Sequence, residues 1–114
     1  ERSGRIAHQM KQQIVGVIEN MSAFPCPKCG EKIELFGSGG GEATAERLSQ
    51  LVGAEVPVLG HVPFSQALRN GGDGGQPVVM ASESDPSAKA ITEIASKLTA
   101  RKKSLLGVPL KLNV

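Results

Sequence analysis

The stretch "QIVGVIENMS", Gln13 to Ser22, is apolar at nearly every position from Ile14 to Ile18 and then turns polar. Such a run fits a strand buried on both faces, as in a parallel sheet, better than one with a wet face. A second run of the same kind, "EVPVLGHVPF" (Glu55–Phe64), predicts a strand over Val56 to Val62. Between them lies a helical pattern from Glu42 to Val52, with Ala45, Leu48, Leu51 and Val52 on one face and Gly53 as its stop. After them, "SDPSAKAITEIASKLTARKK" is the clearest helix. Ser84 or Asp85 caps it, Pro86 suits its first turn, and Ala88, Ile91, Ile94, Ala95 and Leu98 form its buried stripe. Arg101, Lys102 and Lys103 complement its C-terminal dipole.

Buried strands alternating with helices imply an α/β protein with a parallel sheet. Two or three strands cannot bury both faces of such a sheet, so the expected architecture is a partial doubly wound sheet. The opening "ERSGRIAHQMKQQ" agrees: Ile6, Met10 and Ile14 recur at steps of four with no cap before them, so the start reads as truncated. Of the rest, "KIELF" is a short strand, "SQALRNGGDGGQP" one helical turn and then an irregular loop, and "VVM" a third strand or extended arm. "SLLGVPLKLNV" is a weakly ordered tail.

The 114 residues suit one small domain or a piece of a larger one. Aromatics are only 3%, so the core must be aliphatic. A net charge of +2 and three Phe residues give neither the basic footprint nor the stacking platforms of a nucleic-acid binder. No apolar run is long enough to span a membrane and no signal peptide is present, so the expected location is the cytoplasm with no membrane partner.

"CPKC", Cys26 to Cys29, sets two thiols on one tight loop, and in a cytosolic chain this spacing reads as metal or redox ligands before a structural disulfide. Lys28 is expected to favour the thiolate. Structural zinc and cubane iron–sulfur clusters each want four ligands, and the chain has two Cys. His8 and His61 have no helpful spacing, and His61 reads as structural or as lining the sheet end. Three readings stay open: a metal site shared across the two-fold axis of a homodimer, a dithiol redox pair, and a turn without function. The following "GSGGGEAT" (Gly37–Thr44) lacks the Lys of a G-x-x-x-x-G-K-[ST] phosphate loop and also fails G-x-G-x-x-G, so it reads as a sharp turn into the next helix.

Taken in combination, "GVIENMSAFPCPKCGEKIELFGSGGGEATAERL", "VPVLGHVPFSQALRNGGDGGQPVV" and the final amphipathic helix resemble the Mrp/ApbC-type iron–sulfur cluster carriers, relatives of MinD among the deviant P-loop ATPases. The likeness covers roughly residues 4 to 100, and the opening and basic tail look most like actinobacterial members. It implies that residues 1–103 are the C-terminal part of a P-loop ATPase domain with a CxxC insertion at about 23–41, followed by a tail over 104–114. It also implies a [4Fe–4S] cluster bridging two protomers through Cys26 and Cys29, and apo iron–sulfur proteins as recipients; the ligand chemistry of the Cys pair alone leaves zinc as a substitute, in a zinc-binding dimerisation module. Asn20 matches the family residue that faces the adenine, and Pro63, Phe64 and Ser65 match the loop that closes over the base, where many relatives have Asp in place of Ser65. ATP and Mg²⁺ would be handled by the full-length protein, and this chain alone is expected to be inactive as an ATPase.

Overall fold

In the computed structural model, which describes residues 1–100, the elements in chain order are α1 (Arg2–Gln9), β1 (Val17–Asn20), β2 (Phe24–Pro25), β3 (Lys32–Ile33), α2 (Gly40–Val52), β4 (Val58–Val62), α3 (Gln66–Gly74), α4 (Val78–Ala81) and α5 (Pro86–Ala100). β1 and β4 pair in parallel, with Ile18, Glu19 and Asn20 opposite Gly60, His61 and Val62. The expected α/β class with a parallel sheet is therefore met, and α2 supplies the crossover between the two strands. Glu19 meets the first turn of α2, while Gly60 lies against Ile94 of α5. Alternate residues of a strand face opposite ways, so α2 and α5 flank opposite faces of the pair.

The core is small and aliphatic. Leu59, Val62 and Ile94 form its centre, with Leu68, Ala90, Ile91 and Leu98 packed around them. A Cβ at Gly60 would stand 2.6 Å from Ile94 Cγ1, so only glycine lets α5 lie this close to β4. Asp85 caps α5, its Oδ1 accepting from Ser87 N–H at 2.8 Å while its carbonyl accepts from Lys89 N–H at 3.1 Å.

Several expectations are corrected. The first strand runs from Val17 rather than Ile14 and is not buried on both faces, because α5 covers β4 and leaves Ile18 47% exposed. The second begins at Val58. "VVM" is helical, forming α4 with Val78 buried, since a short apolar run does not by itself separate helix from strand. α3 continues through Gly71 and Gly72 instead of ending after one turn, held by its Ser65 cap and by packing on α4. On α5, Ala95 is exposed and leaves the stripe to Ala88, Ile91, Ile94 and Leu98. Arg101, Lys102, Lys103 and the tail lie outside the described residues.

Candidate functional site

The loops that follow the two parallel strands leave the sheet side by side at its carboxyl edge, where open α/β sheets bind ligands. Hydrogen bonds carry the pairing beyond the strands. Ser22 N–H donates to the carbonyl of Val62 at 3.2 Å, and Phe64 N–H donates to that of Ala23 at 2.7 Å. The rings of Phe24 and Phe64 then meet with centroids 5.5 Å apart, tilted by 58°. Asn20, Pro63 and Phe64 thus come to one edge of the sheet, and the Cys hairpin grows from the same edge.

Asn20 is exposed, and its Oδ1 accepts from Met21 N–H at 2.9 Å, a local turn that helps hold Met21 at φ +57°. Pro63 and Phe64 are half-buried. Ser65 is engaged elsewhere: its hydroxyl accepts from Leu68 N–H at 3.2 Å as the cap of α3 and donates to Asp85 Oδ2 at 2.8 Å.

Cys26 and Cys29 are free thiols on the turn of the antiparallel β2–β3 hairpin. Cys26 N–H donates to the Glu31 carbonyl and Gly30 N–H to the Cys26 carbonyl, each at 2.8 Å, so the chain folds back around the Cys26 side chain. Gly30 closes this knuckle at φ +73°, which glycine adopts without strain. The Cys29 N–H, followed by the Lys28 N–H and the Cys29 thiol, stabilises the Cys26 thiolate and holds its pKa below the ordinary cysteine value. Sequence reasoning assigned this effect to the Lys28 side chain; the geometry assigns it to backbone amides. Cys26 is half-buried and Cys29 exposed, so one thiol is anchored and the other presented outward.

A second cluster was missed from the sequence. Glu19 and His61 are cross-strand partners, and His61 Nδ1 lies 2.7 Å from Glu19 Oε2. On its other side, His61 Nε2 lies 3.0 Å from Glu42 Oε1, in the first turn of α2. Gly41 N–H donates to Glu19 Oε1 at 3.3 Å, and a Cβ at Gly40 or Gly41 would stand 3.2 Å from the Glu19 side chain. The glycine run therefore seats the start of α2 on Glu19. The only signal in the sequence was that Glu19 and His61 hold matching places in the two strand runs.

A family model described as ParA, the NUBPL iron-transfer P-loop NTPase, matches residues 1–99. The chain belongs to this family. Among relatives of this NUBPL-type chain, the iron-sulfur cluster carrier protein of Mycobacterium leprae is 46% identical over 113 residues, covering 99% of this chain and 29% of the relative. The iron-sulfur cluster carrier protein of Pyrococcus furiosus is 41% identical over 108 residues, covering 92% of this chain and 34% of the relative. The chain thus spans about a third of the length of these carriers. The septum site-determining protein MinD from Pyrococcus horikoshii, solved with Mg-ADP, aligns with a TM-score of 0.54 at 20% identity, over 97% of this chain and 37% of MinD. That likeness shows the fold: this NUBPL-type chain carries part of a P-loop NTPase architecture. Among the described residues, no helix is long and apolar enough to cross a membrane.

Proposed function

We propose that this chain is the cluster-handling part of an iron–sulfur cluster carrier, with Cys26 and Cys29 as the protein's cluster ligands. The observation that carries this reading is the hairpin knuckle, which presents two free thiols on one turn, with backbone amides lowering the pKa of the Cys26 thiol. Those are the only cysteines of the chain, and a cubane cluster takes four thiolates. Two copies related by a two-fold axis would supply the set, so the cargo is a [4Fe–4S] cluster held between protomers of a homodimer. An exposed, shared position also suits a cargo that must be passed to an apo-protein recipient.

Asn20, Pro63 and Phe64 would contact the nucleotide base in the complete protein, within which residues 1–103 form the C-terminal part of the ATPase domain. The chain holds no G-x-x-x-x-G-K-[ST] sequence, so by itself it hydrolyses no ATP. In the complete protein, the hydrogen bonds and ring contact between the base-side loop and the Cys hairpin would let nucleotide state bias the position of the thiols.

Anaerobic reconstitution with iron and sulfide tests this reading. The expected result is broad absorption near the blue edge of the visible and about four irons per two chains, lost in Cys26→Ser. Stoichiometric zinc that iron does not displace would make the pair a zinc site instead. A metal-free chain with reversible Cys26–Cys29 oxidation would make it a redox pair.

A further inference from the structure

We propose that His61, in its protonated form, is a latch that holds the start of α2, and with it the returning end of the Cys hairpin segment, to the sheet. α2 has no side-chain cap of its own, because its N-cap is Gly39, at φ +77°. The sheet supplies what the helix start lacks. Glu19 of β1 accepts from Gly41 N–H, and His61 of β4 stands between Glu19 and Glu42, which lies in the first turn of α2. The glycine run Gly37–Gly41 joins the hairpin to that turn, so whatever seats Glu42 also seats the end of the run.

Proton counting decides which form of His61 the arrangement needs. Ionised carboxylates only accept hydrogen bonds, a neutral imidazole has one N–H, and an imidazolium has two. Nδ1 lies 2.7 Å from Glu19 Oε2 and Nε2 lies 3.0 Å from Glu42 Oε1, so both contacts are hydrogen bonds only in the imidazolium. Loss of one proton leaves one donor, and the ring must give up a carboxylate. The Glu19 contact is the shorter, and the Glu19 side chain is 21% exposed against 55% for Glu42, so water replaces His61 more readily at Glu42. The neutral ring therefore keeps Glu19 and releases Glu42.

The surrounding charges offer Glu42 no other partner. β4 packs on β1, α2 and α5, and the groups that face His61 are Glu19 from β1 and Glu42 from α2. Among the described residues, both carboxylates form ion pairs with His61 alone. From α5, on the opposite face, Lys97 is bonded to the Leu59 carbonyl and paired with Glu93. The latch is thus closed on the acidic side, where the ring is charged and the carboxylates are still ionised, and opens with rising pH as the ring loses its proton. A consequence that rests on the proposed function is that the seating of the segment behind the thiols depends on pH.

The test uses the full chain carrying Cys26→Ser and Cys29→Ser, so that no thiol titrates and the outcome is independent of the cluster reading. Long-range proton–nitrogen NMR spectra should show both His61 ring nitrogens protonated at about pH 5.5 and one at about pH 8.5. The Ala43 N–H, whose bond to the Gly39 carbonyl opens α2, reports on the helix start. Its solvent exchange, corrected for the intrinsic pH dependence, should quicken about two- to fivefold between those pH values, as expected for loss of an exposed ion pair. Glu42→Gln should remove that change, because a side-chain amide accepts from the charged ring and donates to the neutral one. His61→Ala should show the faster exchange at both pH values. Both positions are exposed, and circular dichroism verifies that the variants keep the parent's helix content. Exchange at Ala43 that ignores pH in the parent, or a pH step that Glu42→Gln keeps in full, would overturn the proposal. So would a His61 ring with a single N–H at the lower pH.

Discussion

Phe24 of the Cys hairpin and Phe64 of the loop after β4 form a tilted aromatic pair with centroids 5.5 Å apart. The pair joins the segment that carries the thiols to the segment that follows the second parallel strand. A double-mutant cycle with Phe24→Leu and Phe64→Leu, read by urea unfolding, is expected to give a coupling of about 0.5–1.5 kcal/mol. Amide exchange at Cys26 and Gly30 should quicken in Phe64→Leu. Additive effects and unchanged exchange would mean that the hairpin is held without the rings.

The amide cradle of Cys26 sets an order of reactivity. A lowered pKa puts thiolate on Cys26 at a lower pH than on an ordinary cysteine. Alkylation by iodoacetamide, followed by mass spectrometry across pH, should show a midpoint for Cys26 below that of a short unstructured peptide. Because metals bind the thiolate, loading of the pair should weaken as pH falls through that midpoint. A midpoint at or above the peptide value would remove the cradle from the account.

Asp85 ties two helix starts together, capping α5 and accepting from the Ser65 hydroxyl that caps α3. Burial raises its pKa, but hydrogen bonds from the Ser87 and Ser65 hydroxyls and from the Ser87 and Ala88 amides outweigh it, and the net shift is downward. A carboxyl with a folded pKa below its unfolded value of about 3.9 contributes stability above that pH and loses it as pH falls through the folded value. Asp85→Ala should cost about 1 kcal/mol at pH 7, and the difference from the parent should shrink toward pH 3. Equal losses at both pH values would show that the charge is immaterial.

Gly60 tests the packing of α5 on β4. Gly60→Ala forces a Cβ toward Ile94 and should destabilise by about 1–3 kcal/mol in urea unfolding. Ile94→Ala in the same chain should recover part of that loss, giving a non-additive pair. Simple additivity would place the clash elsewhere.

The sequence made the class legible because its two apolar runs and the helix between them obey different periods. It misjudged the exposure of Ile18, since periodicity says a strand is apolar but not which neighbours cover it. It stopped α3 early because glycines are poor helix formers, while here the Ser65 cap and packing on α4 override that preference. At the site, the CxxC spacing was readable because both thiols sit on one local turn. The Glu19–His61 pair was not, because parallel register joins positions 42 residues apart. The family resemblance placed Ser65 on the loop after β4, but only the structure shows that its hydroxyl accepts from Leu68 N–H and donates to Asp85.

The hydrogen bond from Phe64 to the Ala23 carbonyl has a practical corollary. It closes the parallel register just before the Cys hairpin begins, and α2 resumes the scaffold at Gly40. The intervening residues 24–39 are thus a cassette with fixed ends. A hairpin taken from a relative and keeping an aromatic at position 24 should therefore be exchangeable without rebuilding the sheet.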